Sequence, residues 1–190
     1  MADTEESRVA LLLVDVINAF DFPGAEPLVR AAHHAAPKIL TLRERAHAAG
    51  VPVIYVNDNF GRWRSDFRRT VAACSDPSFP GHAVARLLAP LEADYFVLKP
   101  RHSGFYCTAL ELLLEQLGVK RLVITGFAAN ICVLLTAGDA HMRGYEVWVP
   151  MDCTASNSEE LTAQALEQVR LIAGARTEEA AKVDWASLRA

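Results

Sequence analysis

Short apolar runs, too brief to be helices, recur along this chain, and each is followed by a segment of helical length. The run Val9–Val14 (VALLLV) is continuous and bounded by polar residues, as expected of a strand buried on both faces. Val53–Val56, Tyr95–Leu98, Leu122–Thr125 and Glu146–Val149 repeat the pattern, and a sixth short strand is expected near Ala175–Thr177. Between the runs, 29–49, 109–117, 130–142 and 158–173 carry apolar residues at helical spacing. Gly50, Gly118, Gly144 and Gly174 follow them at or near the end, where helices stop. This alternation predicts βαβ crossovers and a parallel sheet covered by helices on both faces. In such α/β sheets the functional groups gather just beyond the carboxyl ends of the strands.

At 190 residues the chain suits one domain, and it divides into a polar, acidic tail over 1–8 and a single domain over 9–190. The tail has no basic start and no apolar stretch, so it does not read as a secretory signal. No apolar run reaches the roughly 20 residues of a membrane span. A net charge of -4 excludes the basic excess usual in nucleic-acid binders. Hydrophobic residues at 52% exclude a disordered chain. Cys74, Cys107, Cys132 and Cys153 form neither a CxxC pair nor a spaced Cys/His set, which fits free thiols in the cytoplasm.

Three reactive side chains stand at strand ends. Asp15 follows VALLLV, Lys99 follows YFVL, and Cys132 lies just past LVIT and a turn over 126–131. Each has an ordinary structural reading on its own: Asp15 as a helix cap, Lys99 as a surface lysine burying only its stem, Cys132 as core filler. Together they offer a nucleophile, a proton carrier and a cation in one crevice. A thiol attacks as thiolate, which a helix start and a nearby lysine favour. A carboxylate within reach can carry its proton to a leaving amine. Backbone N–H groups at the turn before Cys132 are placed to receive an oxyanion.

The stretches LLLVDVINAF, VLKPRHSGFY and VITGFAANICVLLTAGDAHMRGYEV resemble the three signature blocks of the isochorismatase-like cysteine hydrolases. The family includes nicotinamidases, N-carbamoylsarcosine amidase and ureide-cleaving enzymes. The resemblance implies a three-layer αβα sandwich around a six-stranded parallel sheet. It implies Asp15 as base, Lys99 as its charged partner and Cys132 as nucleophile. It also implies a cis peptide between Phe127 and Ala128, which aims the Ala128 N–H at the substrate beside that of Cys132. Family members are commonly dimers or larger homo-oligomers, and the aromatic-rich stretch from Phe60 to Phe79 adds apolar surface to cover.

Three departures from the family pattern narrow the function. Metal-binding members carry Asp-x-His after the second strand, whereas this chain reads Asp58-Asn59-Phe60. His33, His34, His47, His82, His102 and His141 offer no compensating spacing, so no metal and no other cofactor is expected. Ile17 replaces a Gln often found two residues after the catalytic Asp. Members that cleave the vinyl ether of isochorismate often lack the cysteine, and its presence favours an amide. Phe20, Asn57, Asn59, Trp63, Arg64, Phe105 and Tyr106 are the candidate substrate contacts. Arg62, Arg64, Arg68 and Arg69 together suit either a carboxylate substrate or an exposed run paired with Asp66. The leading expectation is metal-independent hydrolysis of a C–N bond in a small amide, carbamoyl or ureide compound. An isochorismate-like vinyl-ether hydrolase and a non-catalytic binder of a small ligand or a protein are the alternatives.

Overall fold

The computed structural model describes residues 8–61, 63, 64 and 66–189. Most of the expected tail and Arg62 therefore lie outside the described residues. The described residues form six strands: β1 (Val9–Val14), β2 (Val53–Asp58), β3 (Tyr95–Lys99), β4 (Arg121–Phe127), β5 (Glu146–Trp148) and β6 (Thr154–Ala155). Five run in the order β3-β2-β1-β4-β5, and β6 extends the sheet beside the end of β4. Every pairing is parallel. Among the described residues, seven α-helices accompany them: α1 (Glu26–Ala48), α2 (Phe67–Cys74), α3 (His82–Leu87), α4 (Leu110–Gln116), α5 (Leu134–Met142), α6 (Glu159–Ala173) and α7 (Trp185–Arg189).

The central strand explains the three layers. All six residues of β1 are buried, and successive side chains leave opposite faces of a strand. Val9, Leu11 and Leu13 join the core beneath α1, α3 and α7. Ala10, Leu12 and Val14 join the core beneath α4, α5 and α6. A strand apolar at every position therefore needs cover on both sides, which the crossover helices supply.

The sixth strand differs from the expectation. Ala175–Thr177 forms no strand, although Arg176 makes an isolated parallel bridge to Trp148. The sixth strand is instead Thr154–Ala155, paired with Gly126 and Phe127. Two residues are too few to leave a readable apolar run. Helix α2 forms within the aromatic-rich stretch from Phe60 to Phe79. Asp66 caps α2 by accepting from Arg69 N–H at 2.8 Å. Phe67 then packs on Tyr55 and stacks on Phe96.

The end of β4 passes very close to β1. Gly126 has φ +109°, and a Cβ there would lie 1.9 Å from the Val14 carbonyl oxygen. Only glycine meets both demands. We expect Gly126→Ala to cost about 3 kcal/mol or more, read as a lowered urea midpoint. An unchanged midpoint would contradict this account of the strand ends.

Candidate active site

Strand register brings the reactive side chains together. Asp58 at the end of β2 lies opposite Lys99 at the end of β3. Asp15 follows β1 and donates its N–H to the Val56 carbonyl of β2 at 3.0 Å. Cys132 arrives from the other side, on a π-helical turn over Ala129–Val133 between β4 and α5. The Phe127–Ala128 peptide leading into that turn is cis.

Lys99 Nζ is the hub. It lies 2.8 Å from Asp15 Oδ2, 3.5 Å from Asp58 Oδ2 and 3.7 Å from Cys132 Sγ. Lys99 is fully buried and Asp15 nearly so. Asp15 Oδ1 accepts the Asp58 N–H at 2.6 Å, so both its oxygens are held. Burial pushes the Asp15 carboxyl above its usual range, against the pull of Lys99 and the Asp58 N–H. Burial works to lower Lys99, but the charge and hydrogen bond of Asp15 and the charge of Asp58 outweigh it and hold the ammonium above its ordinary value. Of these two upward shifts, the one on Lys99 decides the resting state. An ammonium 2.8 Å from a carboxylate keeps its proton, and a carboxylate so paired stays ionised at neutral pH.

The thiol behaves differently from the sequence expectation. Burial first, and then Asp15, push Cys132 up to about 12, against the opposing pull of Lys99. The resting group is therefore a thiol beside a carboxylate. Asp15→Asn removes the charge that holds the thiol up. Iodoacetamide should then label Cys132 faster at pH 8 than in the unsubstituted protein, on the order of tenfold for each pKa unit recovered, while turnover falls. Slower labelling would contradict this.

A buried serine anchors the turn that carries Cys132. Ser156 Oγ accepts from Asn130 N–H at 3.2 Å and donates to Asn130 Oδ1 at 2.9 Å, and its own N–H donates to Thr162 Oγ1 at 2.9 Å. This ties the turn to the start of α6.

The candidate substrate contacts separate. Asn57 is fully buried, and its side chain spends both ends on the Ile17 backbone at 3.1 and 3.0 Å. Phe20 is buried against Phe127. Phe105 belongs to the core, beside Tyr145 and under the Arg143 guanidinium. Asn59 Oδ1 accepts the Gly61 N–H. Trp63, at 79% exposure, and Tyr106 are open to solvent, as is Arg64. Arg69 pairs with Asp66 at 3.6 Å on the surface, which is the exposed-run reading. Two neighbours of the trio were not among the candidates. Asp58 is placed by its register opposite Lys99. His102 stands with Nδ1 3.9 Å from Cys132 Sγ, and only its position three residues after Lys99 hints at this.

The family's metal set does not fit these residues. Phe60 has no donor atom to offer. Asp58 Oδ1 accepts the Phe60 N–H at 2.6 Å and Oδ2 faces Lys99. Among the described residues, no group of three or more His, Cys, Asp or Glu side chains is arranged to hold a metal ion.

The isochorismatase domain family matches residues 9–181. The chain belongs to the isochorismatase family. Within that family it is 44% identical over 172 residues to the uncharacterized isochorismatase family protein YaaI of Bacillus subtilis, covering 90% of this chain and 94% of that one. It is 30% identical over 188 residues to ureidoacrylate amidohydrolase RutB of Stutzerimonas stutzeri, covering 84% of this chain and 74% of that one. Among solved structures, N-carbamoylsarcosine amidase from Thermoplasma acidophilum superposes with a TM-score of 0.71 at 26% identity, over 93% of this chain and 99% of that one. The chain is an isochorismatase-family hydrolase with the family's parallel-sheet fold. No helix among the described residues is long and apolar enough to cross a membrane.

Proposed function

We propose that this hydrolase cleaves a C–N bond of a small amide, carbamoyl or ureide compound through a thioester on Cys132, without a metal. The observation that carries this reading is the single contact group formed by Asp15, Lys99 and Cys132 at the strand ends. The amidohydrolase relatives support the choice of bond.

The chemistry follows from the charges. As Sγ attacks the substrate carbonyl, its proton passes to the Asp15 carboxylate. Lys99 keeps that carboxylate ionised beforehand. The oxyanion forms at the start of the nucleophile turn, where the Ala128 and Cys132 N–H groups receive it. Collapse breaks the C–N bond, and the departing amine takes the proton from Asp15. Water then hydrolyses the thioester and frees the thiol.

Ammonia release from a panel of amides, carbamoyl compounds and ureides tests the reading. At least one compound class should release ammonia, and a panel without any release would count against it. Chelation should leave that activity within about twofold, because the residues around Asp58 do not offer a metal site. Loss on chelation with recovery on adding zinc or iron would contradict metal independence.

A further inference from the structure

The nucleophile has two differently built sides. Asp15 and Lys99 are buried, with Lys99 Nζ 3.7 Å from Sγ, while His102 is exposed, with Nδ1 3.9 Å from Sγ. The acylation steps above make no use of this ring.

Its place is fixed by its neighbours. Ser103 Oγ donates to the Asp139 carboxylate of α5, and Gly104 N–H donates to Thr136 Oγ1 of α5 at 3.0 Å. Gly104 packs so close to β2 that a Cβ would lie 2.7 Å from Val56 Cγ1. The loop after β3 is thus pinned to the helix that follows the nucleophile, which holds the imidazole beside the thiol. Beyond the ring lies a cavity of about 580 Å³, lined by Arg101, Tyr106 and Leu135 among others.

The two half-reactions ask for protons on opposite sides. During attack the proton comes off the sulfur, where Asp15 waits. Once the acyl group is on Sγ, the buried side is filled by Asp15 and Lys99, so the carbonyl carbon faces the opening. Water must reach it from there, which is the His102 side.

We propose that His102 is the general base of thioester hydrolysis, a role that rests on Cys132 being the nucleophile. The neutral ring, with its proton on Nε2, accepts a water proton at Nδ1 as the water oxygen bonds to the thioester carbon. The tetrahedral intermediate collapses, the C–S bond breaks, and the imidazolium returns that proton to Sγ. The hydroxyl leaves in the carboxylic acid, and the thiol is restored. The charged and titratable groups around the ring are Arg101, Tyr106, Asp139 and His141, which line the same cavity, and Cys132 with Asp15, Lys99 and Asp58 about it. Ser103 and Arg143 engage the Asp139 carboxylate.

The test uses 4-nitrophenyl acetate as an acylating probe on the full chain. Nitrophenolate release reads acylation, and the acetyl mass on the Cys132 peptide, followed in time, reads hydrolysis. His102→Gln should leave the nitrophenolate burst within about threefold and slow acetyl loss by about 10²-fold, the usual scale of a general base. In the unsubstituted protein, acetyl loss should rise with pH to a plateau, the profile of a step that needs a neutral base. In His102→Gln and His102→Asn that rise should vanish, and added imidazole should restore part of the rate to a His102→Gly protein. Unchanged acetyl loss in the variants, or burst and loss slowed equally, would overturn the role. Absence of acetyl on Cys132 in the unsubstituted protein would overturn the nucleophile reading and this role with it.

Discussion

Replacing Cys132 by Ala is expected to remove turnover by roughly 10⁴–10⁶-fold on any compound that releases ammonia, the range seen when a nucleophile acting as part of a unit is deleted. The fold should survive, because Cys132 is only partly buried at the edge of its core. Ammonia release and a urea melt on the same sample check both halves. Residual activity above about 1% of normal would mean that another group attacks, since no second nucleophile stands with Asp15 and Lys99 among the described contacts.

Lys99→Met is expected to have the largest effect on stability. The methionine stem fills the buried space, but the charge that answers Asp15 and Asp58 is gone. Removing one member of a buried ion pair costs about 3–5 kcal/mol, mostly from the charge left behind. The sign with pH follows from Asp15. Burial already raises its carboxyl in the folded protein, and without Lys99 nothing cationic pulls it back. A carboxyl whose folded pKa lies above its unfolded value takes up protons on folding, so the variant loses stability as pH rises between the two. The deficit relative to the unsubstituted protein should therefore be widest at neutral pH and should narrow toward pH 5. Lys99 itself is held above its ordinary value, so its own contribution is complete at neutral pH and is lost only in strong alkali. Urea midpoints at pH 5 and pH 7.5 measure the change. An equal deficit at both would show that the loss is one of packing and not of charge.

The strands that build the sheet were legible because they are buried on both faces and therefore apolar without interruption. VALLLV is the clearest, and it proved to be the central strand. The sixth strand was not legible, since Thr154–Ala155 is two residues long and is defined by what β4 offers it, not by its own composition. Helix α2 was not read from the aromatic-rich stretch after β2, and its signal was the Asp66 cap followed by Phe67.

The trio was legible for a related reason. A strand end is readable as the place where an apolar run stops, so Asp15 and Lys99 could be placed. The turn before Cys132 carried its own motif. What the sequence did not convey was depth. Asn57 and Phe105 are polar and aromatic residues near the right strand ends, yet one is consumed by the Ile17 backbone and the other packs under Arg143. The thiol's rise to about 12 has the same origin, because burial is a property of the assembled core. His102 went unassigned because its closeness to Cys132 depends on the Ser103 and Gly104 anchors to α5, which join residues more than thirty positions apart.

The central claim is that Cys132 carries the acyl group while Asp15 carries the proton. Acid quench during turnover of an ammonia-releasing compound, followed by peptide mass mapping, tests it most directly. The account predicts the acyl mass on the Cys132 peptide and on none of those containing Cys74, Cys107 or Cys153. Ammonia released with the acyl mass on a different residue would contradict it.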